Sequence, residues 1–249
     1  MPPQDENYQS EEQSRHTEAS TSPWVVPLSI VLAGALIGAG IYLSNSSPKK
    51  LANTALGPSV IDTINIAPIT TGDHIRGNPN AEVFIVEFSD TECPFCKQFH
   101  QTMQRIMNEY GADGKVAWVY RHLPIDSLHT RARKEAEATE CAAELGGNNK
   151  FWEYIDLVFS RTQSNDTLDP AELPKIAKDI GLDQKKFEEC LASGRHAAKV
   201  REHEIDAASA GARGTPHSIV VTARGEKVSL IGAQPYDLVK AVIDAALTN

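Results

Sequence analysis

The chain lacks an excess of basic residues, since its 249 residues include 33 aspartates and glutamates against 24 lysines and arginines, a net charge of −9. Proteins that bind nucleic acids depend on lysine and arginine to neutralise phosphates, so this balance argues against a nucleic-acid partner. No internal repeat is present in the sequence. The remaining composition, with 41% hydrophobic and 23% charged residues, is that of an ordinary globular protein.

Cysteine is also scarce, with four in the whole chain, of which only Cys93 and Cys96 lie close together in sequence. Together with His100 they could supply three zinc ligands, but no second cysteine and histidine cluster of matching spacing follows. Haem attachment requires a histidine directly after the second cysteine, and Lys97 occupies that position. We therefore expect no metal site, and a purely structural bridge between the two cysteines is a further alternative.

Two stretches near the start of the sequence lack residue types that folded domains use. Residues 1–23 contain almost no large apolar side chain, which predicts a disordered acidic tail. Residues 24–43 contain no charge and match the length of about 20 residues that a transmembrane helix requires. We expect a single-pass anchor in the lipid bilayer, because a cleaved signal peptide, the alternative, has a shorter apolar region after basic residues. Residues 44–62 are expected to form a flexible linker.

The side of the membrane on which the domain lies is predicted from two conflicting signals. Lys49 and Lys50 follow the apolar stretch while Arg15 precedes it, and this favours a cytoplasmic domain by the positive-inside rule. Long domains, however, translocate largely regardless of flanking charge, and cysteine bridges suit an oxidising compartment. We expect an extracytoplasmic domain, on the periplasmic or cell-surface side of the cell membrane.

From residue 63 onward, the spacing of apolar residues predicts a mixed α/β domain. Strands are expected over 63–67, 82–89, 115–122, 217–222 and 226–231, and helices after Cys96, across about 128–211 and over 235–247. Cys93 and Cys96 fall where the second strand meets the first helix. Backbone N–H groups without helical partners, together with the positive end of the helix dipole, favour a thiolate at that position.

The chain from about residue 60 to its end resembles the DsbA-like thiol–disulfide oxidoreductases. Four segments carry the resemblance, namely 87–96 (EFSDTECPFC), 120–124 (YRHLP), the helical region with Cys141 and Phe151-Trp152, and 214–216 (GTP). The resemblance implies an α/β thioredoxin fold over residues 63–249, with a helical insertion over about 128–211. It further implies that Cys93 is the nucleophile, Cys96 the resolving thiol and Pro216 a cis-proline against the disulfide, although the residues alone favour a trans peptide.

The resemblance also assigns roles to residues around the cysteines. An extended substrate chain would pair with the backbone of the cis-proline loop. The substrate-binding positions expected on this basis are Pro94, Phe95, Thr215, Pro216 and His217.

Three further residues acquire expected roles from the same resemblance. Glu87 would lie buried beneath the active site and relay the proton of Cys96, whereas a glutamate that reaches solvent at the strand end is the alternative. No lysine is evident opposite Glu87 on the next strand, where Val119 is the expected neighbour. Cys141 and Cys190 would form a structural disulfide, with two buried reduced thiols as the alternative.

The implied activity is disulfide exchange with exported or membrane proteins that contain cysteines, in the oxidising direction. The exchange itself needs no metal or organic cofactor. Reoxidation would require a partner, by resemblance a quinone-linked membrane protein. Two alternatives remain, a disulfide reductase or isomerase with the same chemistry, and a membrane-tethered peptide-binding or chaperone module with a structural disulfide.

Overall fold

The computed structural model describes residues 64–248, so the predicted acidic tail, membrane helix and linker lie outside the described residues. Across residues 64–248, no helix has both the length and the apolar character that a membrane crossing requires.

The described residues form one five-stranded mixed sheet with helices on both faces. The strands are β1 His74–Gly77, β2 Val83–Ser89, β3 Val116–His122, β4 His217–Thr222 and β5 Lys227–Ile231. The helices are α1 Pro94–Tyr110, α2 Ala132–Arg161, α3 Glu172–Asp179, α4 Gln184–Ser193, α5 Ala197–Ser209 and α6 Tyr236–Thr248. The strand order is β1-β3-β2-β4-β5, in which only β2 and β3 run parallel. Strands β2 and β3 with α1 form a parallel βαβ unit, and β4, β5 and α6 form a closing ββα unit, in the order expected for residues 82–247.

The central strands are apolar on both faces because helices or loops cover each side of the sheet. All seven residues of β3 are buried, and β2 is buried except for partial exposure of Phe84. Helix α1 places an apolar stripe against one face of the sheet, and α6 packs beside it. The stripe follows helical spacing, and its buried members are Phe99, Met103, Ile106, Met107 and Tyr110.

The strand predicted over 63–67 is wrong for the part that the structure describes, because residues 64–70 have no regular structure and β1 begins at His74. The backbone of this segment is bound by side chains instead of a neighbouring strand. Asp206 accepts the Ala67 N–H, and the Arg121 guanidinium donates to the Ala67 and Pro68 carbonyls. These bonds satisfy the backbone without a sheet, and the isoleucines of the segment still cover the second sheet face.

Helices α2 to α5 lie between β3 and β4 and have an apolar core of their own. Helix α2 is interrupted at Gly147, whose φ of 78° is in the left-handed region that glycine adopts without steric cost. A disulfide joins Cys141 on α2 to Cys190 on α4, 49 residues apart. The chain therefore has a mixed α/β thioredoxin-like fold with a helical region between its two halves.

Candidate active site

The two neighbouring cysteines lie at the junction of β2 and α1. Cys93 is the N-cap residue of α1 and has extended backbone angles, and Pro94 begins the helix. Proline suits this position because its missing N–H would have no partner in the first turn of a helix. Cys93 is 5% exposed, Cys96 is fully buried and Phe95 between them is 61% exposed. Both cysteines are therefore buried, and Cys93 keeps a small exposure that Cys96 lacks.

The active-site loop of the second half of the fold lies against Cys93. The Thr215–Pro216 peptide bond is cis, and the Cys93 Sγ is 3.5 Å from the Thr215 carbonyl oxygen. Residues 122 positions apart in sequence thus meet at the sulfur. Because Pro216 has no N–H, its backbone cannot donate to the thiolate or to the chain beside it, and the preceding residue presents its backbone at the surface.

The two thiols have opposite acid strengths. A hydrogen bond from the Cys96 thiol is the main cause that lowers the pKa of Cys93 to about 6, while burial opposes it and the Thr215 hydroxyl and two backbone N–H groups add to it. Burial raises the pKa of Cys96 well above its ordinary value, and the neighbouring Cys93 and Glu87 raise it further. At neutral pH Cys93 is therefore the thiolate and Cys96 the protonated donor.

Glu87 lies under the cysteines on β2 and is fully buried, so the alternative that it reaches solvent is wrong. Its Oε2 accepts a hydrogen bond of 2.9 Å from the Trp118 indole. Burial raises the pKa of Glu87 to about 7, although the Ser89 hydroxyl and Trp118 favour its charged form. A carboxyl that titrates near neutral pH, next to a thiol that must lose its proton, is suited to proton transfer.

The register of the sheet corrects one detail of the surroundings of Glu87. The residue that pairs with Glu87 on β3 is Tyr120, where Val119 was expected, and on β4 it is Ser218. Trp118 and Tyr120 are aromatic neighbours that the sequence analysis did not identify. Alternation along β3 was the available signal, because it places both on the same face of the strand.

Three of the five expected substrate-binding residues, Thr215, Pro216 and His217, line one cavity, and Pro94 and Phe95 do not line it. Six neighbouring residues that line it are Arg213, Gly214, Thr215, Pro216, His217 and Ile231, and its volume is about 480 Å³. His217 is 4% exposed, and burial lowers its pKa, so its imidazole is neutral at pH 7. Ile231 is 70% exposed. The cavity thus combines backbone groups with an exposed apolar rim.

A group of buried acids beside Cys93 was missed by the sequence analysis. The Glu92 carboxylate accepts hydrogen bonds from the Thr162 hydroxyl and from the Leu168 N–H, and Asp90 is 1% exposed. Burial raises the pKa of Glu135, which is close to Glu92, to about 8. The signal was present in the acidic residues directly before the first cysteine, but their partners come from a region more than thirty residues away.

The zinc alternative for Cys93, Cys96 and His100 has no geometric support. The His100 Nε2 is 2.7 Å from the Asp156 carboxylate, and the His100 ring packs at a tilt against the Phe159 ring. Among residues 64–248, the side chains close enough together to share a metal ion are Cys141, Cys190 and His196. Both sulfurs of that group are joined in the disulfide.

Replacing Cys96 tests the origin of the low pKa of Cys93. In Cys96→Ala the main hydrogen bond to the thiolate is lost, so we expect the pKa of Cys93 to rise from about 6 toward its ordinary value of 9.0. Cys96→Ser is the matched control, because the serine hydroxyl retains a donor. In this variant the pKa of Cys93 should rise less than in Cys96→Ala. Ultraviolet absorbance of the thiolate against pH measures both. Equal midpoints in the two variants would contradict this origin.

Replacing Glu87 tests its burial through the pH dependence of stability. The unfolded carboxyl loses its proton near pH 4.5 and the folded one near 7, so the stability that Glu87 contributes below pH 4.5 is lost as pH rises to about 7. The loss is about 3 kcal/mol. Glu87→Gln should remove this pH dependence of the free energy of unfolding. Denaturant unfolding at several pH values, in a Cys93→Ser/Cys96→Ser background, measures it. The control is Glu82→Gln, an exposed glutamate just before β2. Parallel stability curves for Glu87→Gln and its background would refute the shift.

Known proteins are similar to this chain in sequence and in structure. The profile of the Thioredoxin family matches residues 70–245. The Na⁺/H⁺ antiporter NhaA 3 of Salinispora tropica is 37% identical over 174 residues, which cover 68% of this chain and 25% of the antiporter. The NhaA antiporter of Herminiimonas arsenicoxydans is 32% identical over 174 residues, 70% of this chain and 25% of that protein. The chain thus spans about a quarter of the length of these curated relatives.

Among solved structures, Pseudomonas aeruginosa DsbA2 is 28% identical with a TM-score of 0.58, and the match covers 72% of this chain and 96% of that one. Bacillus subtilis BdbD in its oxidised form has a TM-score of 0.65 at 21% identity, over 75% of this chain and 98% of that one, and so supports the fold. The family profile shows that the chain belongs to the thioredoxin family, and the solved structures show that its fold is similar to that of DsbA proteins.

Proposed function

We propose that this protein oxidises pairs of cysteines in exported or membrane proteins through the Cys93–Cys96 pair. The observation that carries the proposal is the contrast in acid strength between these two thiols, beside the cis Thr215–Pro216 loop. A pKa of about 6 makes Cys93 a good leaving group and a reactive thiolate, whereas the buried Cys96 is held protonated. A module that used its cysteines only for stability would not require this contrast.

The chemistry begins with the Cys93–Cys96 disulfide. A substrate thiolate attacks the Cys93 sulfur, the disulfide breaks, and Cys96 leaves and takes up a proton, which Glu87 supplies. A second substrate thiolate then attacks the substrate sulfur of the mixed disulfide, and Cys93 leaves as a thiolate. The substrate has lost two electrons and the enzyme has gained them. No metal or organic cofactor is required for these steps.

The direction of exchange follows from which form of the enzyme is stabilised. A low thiol pKa stabilises the reduced enzyme, because the thiolate exists only in that form. A disulfide whose reduced form is stabilised is a strong oxidant toward other thiols. The hydrogen bond from Cys96 and the donors of the first turn of α1 therefore support an oxidase. The same cysteine motif in a less stabilising environment would support a reductase or isomerase.

The reduction potential tests the direction. We expect a value closer to the DsbA potential of about −120 mV than to the thioredoxin potential of about −270 mV, because the reduced form is stabilised. Equilibration with glutathione buffers of known ratio measures it. A value near the thioredoxin potential would favour the reductase.

Two variants accompany this measurement. Cys93→Ser should abolish disulfide exchange, and the matched variant Cys96→Ser should accumulate a mixed disulfide through Cys93. Exchange that persists in Cys93→Ser would reject the mechanism and favour a peptide-binding module.

The location and partners of the enzyme form a second part of the proposal. We propose that residues 24–43 anchor the chain in the lipid bilayer and that the domain faces the extracytoplasmic side. Twenty residues without a charge support the anchor, and the relatives named as antiporters carry their matching segment in proteins that act at a membrane. The reduced enzyme requires an electron acceptor, for which we propose a quinone-linked membrane protein held within reach by the short linker.

A topology reporter tests the anchor. Alkaline phosphatase fused after residue 60 should be active in cells, because it folds only in an oxidising compartment, and it should remain with the membrane fraction. The control is the same fusion without residues 24–43, which should be inactive. If the fusion that retains residues 24–43 were inactive, the domain would lie in the cytoplasm and the proposed location would be refuted.

A further inference from the structure

Asp90 occupies the turn between β2 and α1, and its carboxylate is closed off from solvent, with a side-chain exposure of 0%. The Glu92 and Ile125 N–H groups donate to it at 2.8 and 2.7 Å. The third contact is the His129 Nδ1, at 2.9 Å. Because a carboxylate only accepts, the imidazole nitrogen that faces it carries a proton. His129 is itself 5% exposed, so the pair is largely buried.

The backbone of Asp90 is in contact with both active-site cysteines. Its carbonyl accepts the Cys93 N–H at 3.2 Å, and its own N–H points to the Cys96 sulfur at 3.4 Å. Asp90 therefore links His129 to the backbone of Cys93 and to the sulfur of Cys96. It lies after β3, just before α2, in a segment that the motif around the cysteines does not contain.

The charges that face His129 come from three elements. Burial lowers the pKa of His129, but the hydrogen bond and charge of Asp90 outweigh burial, and the negative charges of Cys93 and Asp166 act in the same direction. The net pKa is raised above 6.5, so the imidazolium form gains population near neutral pH. The Cys93 thiolate is thus among the charges that favour it.

We propose that His129 is a positioning residue for disulfide exchange, which Asp90 holds near Cys93 so that its positive charge stabilises the thiolate. This deepens the proposed function and rests on the assignment of Cys93 as the nucleophile. The two residues between the cysteines, Pro94 and Phe95, carry no charge, and the nearby Lys97 donates to the Thr162 carbonyl. The cation therefore comes from the loop that precedes the helical region.

The effect belongs to the step in which Cys93 leaves the mixed disulfide. The bond between the Cys93 sulfur and the substrate sulfur breaks, and the electron pair remains on Cys93 as a thiolate. A nearby imidazolium lowers the energy of that charge in the product and in the transition state that leads to it. The hydrogen bond from Cys96 is the main influence that lowers the pKa of Cys93, and that from Thr215 adds to it, so we expect His129 to have a smaller effect than these two.

Two substitutions separate charge from hydrogen bonding. His129→Asn places an amide near the position of Nδ1 and keeps a donor to Asp90 without the charge, and His129→Leu removes both. We expect the pKa of Cys93 to rise by about 0.5 to 1 in each, a threefold to tenfold loss of thiolate affinity. The equilibrium constant for oxidising glutathione should fall by a similar factor. His196→Gln is the control, since His196 also pairs with a carboxylate, that of Glu144, but lies beside the Cys141–Cys190 disulfide.

The outcomes of these variants are distinct. A change in His129→Leu alone, with His129→Asn like the unmodified protein, would assign His129 a hydrogen-bonding role and overturn the proposal. Unchanged thiol pKa and potential in both would overturn it as well. Failure of the proposed function itself would be seen separately, as disulfide exchange that persists in Cys93→Ser.

A measurement on the unmodified protein avoids any loss of folding in the variants. Because coupling between two charges is reciprocal, the pKa of His129 should be higher in the reduced protein, which contains the Cys93 thiolate, than in the disulfide form. NMR titration of the imidazole in both redox states measures the difference. We expect the two pKa values of His129 to differ by about 0.5 to 1, as for Cys93 in the variants. Equal pKa values in the two states would refute the proposal.

Discussion

The hydrogen bond from the buried Cys96 thiol to the Cys93 sulfur is the interaction on which the active site depends. It requires the two cysteines to be adjacent, with Cys96 the more deeply buried, and the start of α1 provides this because residues three apart lie on one face of a helix. Once Cys96 is sealed from solvent, its own ionisation is unfavourable, so the charge resides on Cys93. The contrast between the two thiols is thus a direct consequence of burial.

Burial acts differently on the three acids that precede the cysteines. Glu87 has few donors, so its proton is retained to about pH 7 and is available for transfer. Asp90 and Glu92 are equally buried, but backbone N–H groups and side chains from residues 125–168 bind their carboxylates. The helical region therefore does more than enlarge the fold. Together with the loop that precedes it, the helical region supplies the donors that hold the segment in front of Cys93. His129 in that loop supplies a charge.

Several elements could be predicted from the sequence because local chemistry determines them. The apolar strand β2, the amphipathic helix α1 and the hairpin of β4 and β5 each have a periodicity that only one structure satisfies. The strand expected over 63–67 failed for a physical reason. Its isoleucines do cover the sheet, but Arg121 and Asp206 bind its backbone, and no local pattern shows that a distant arginine replaces a strand neighbour.

The sequence by itself determined the cysteine pair at a helix start, a single glutamate within the apolar strand before it, and the order of strands and helices from β2 onward, since these depend on residues near one another in the chain. Only the tertiary structure decided what surrounds the sulfurs. Thr215 reaches Cys93 from 122 residues away, and His129 reaches Asp90 from 39 residues away. Such contacts depend on how the sheet and the helical region pack together, and the pKa of a thiol depends on those contacts.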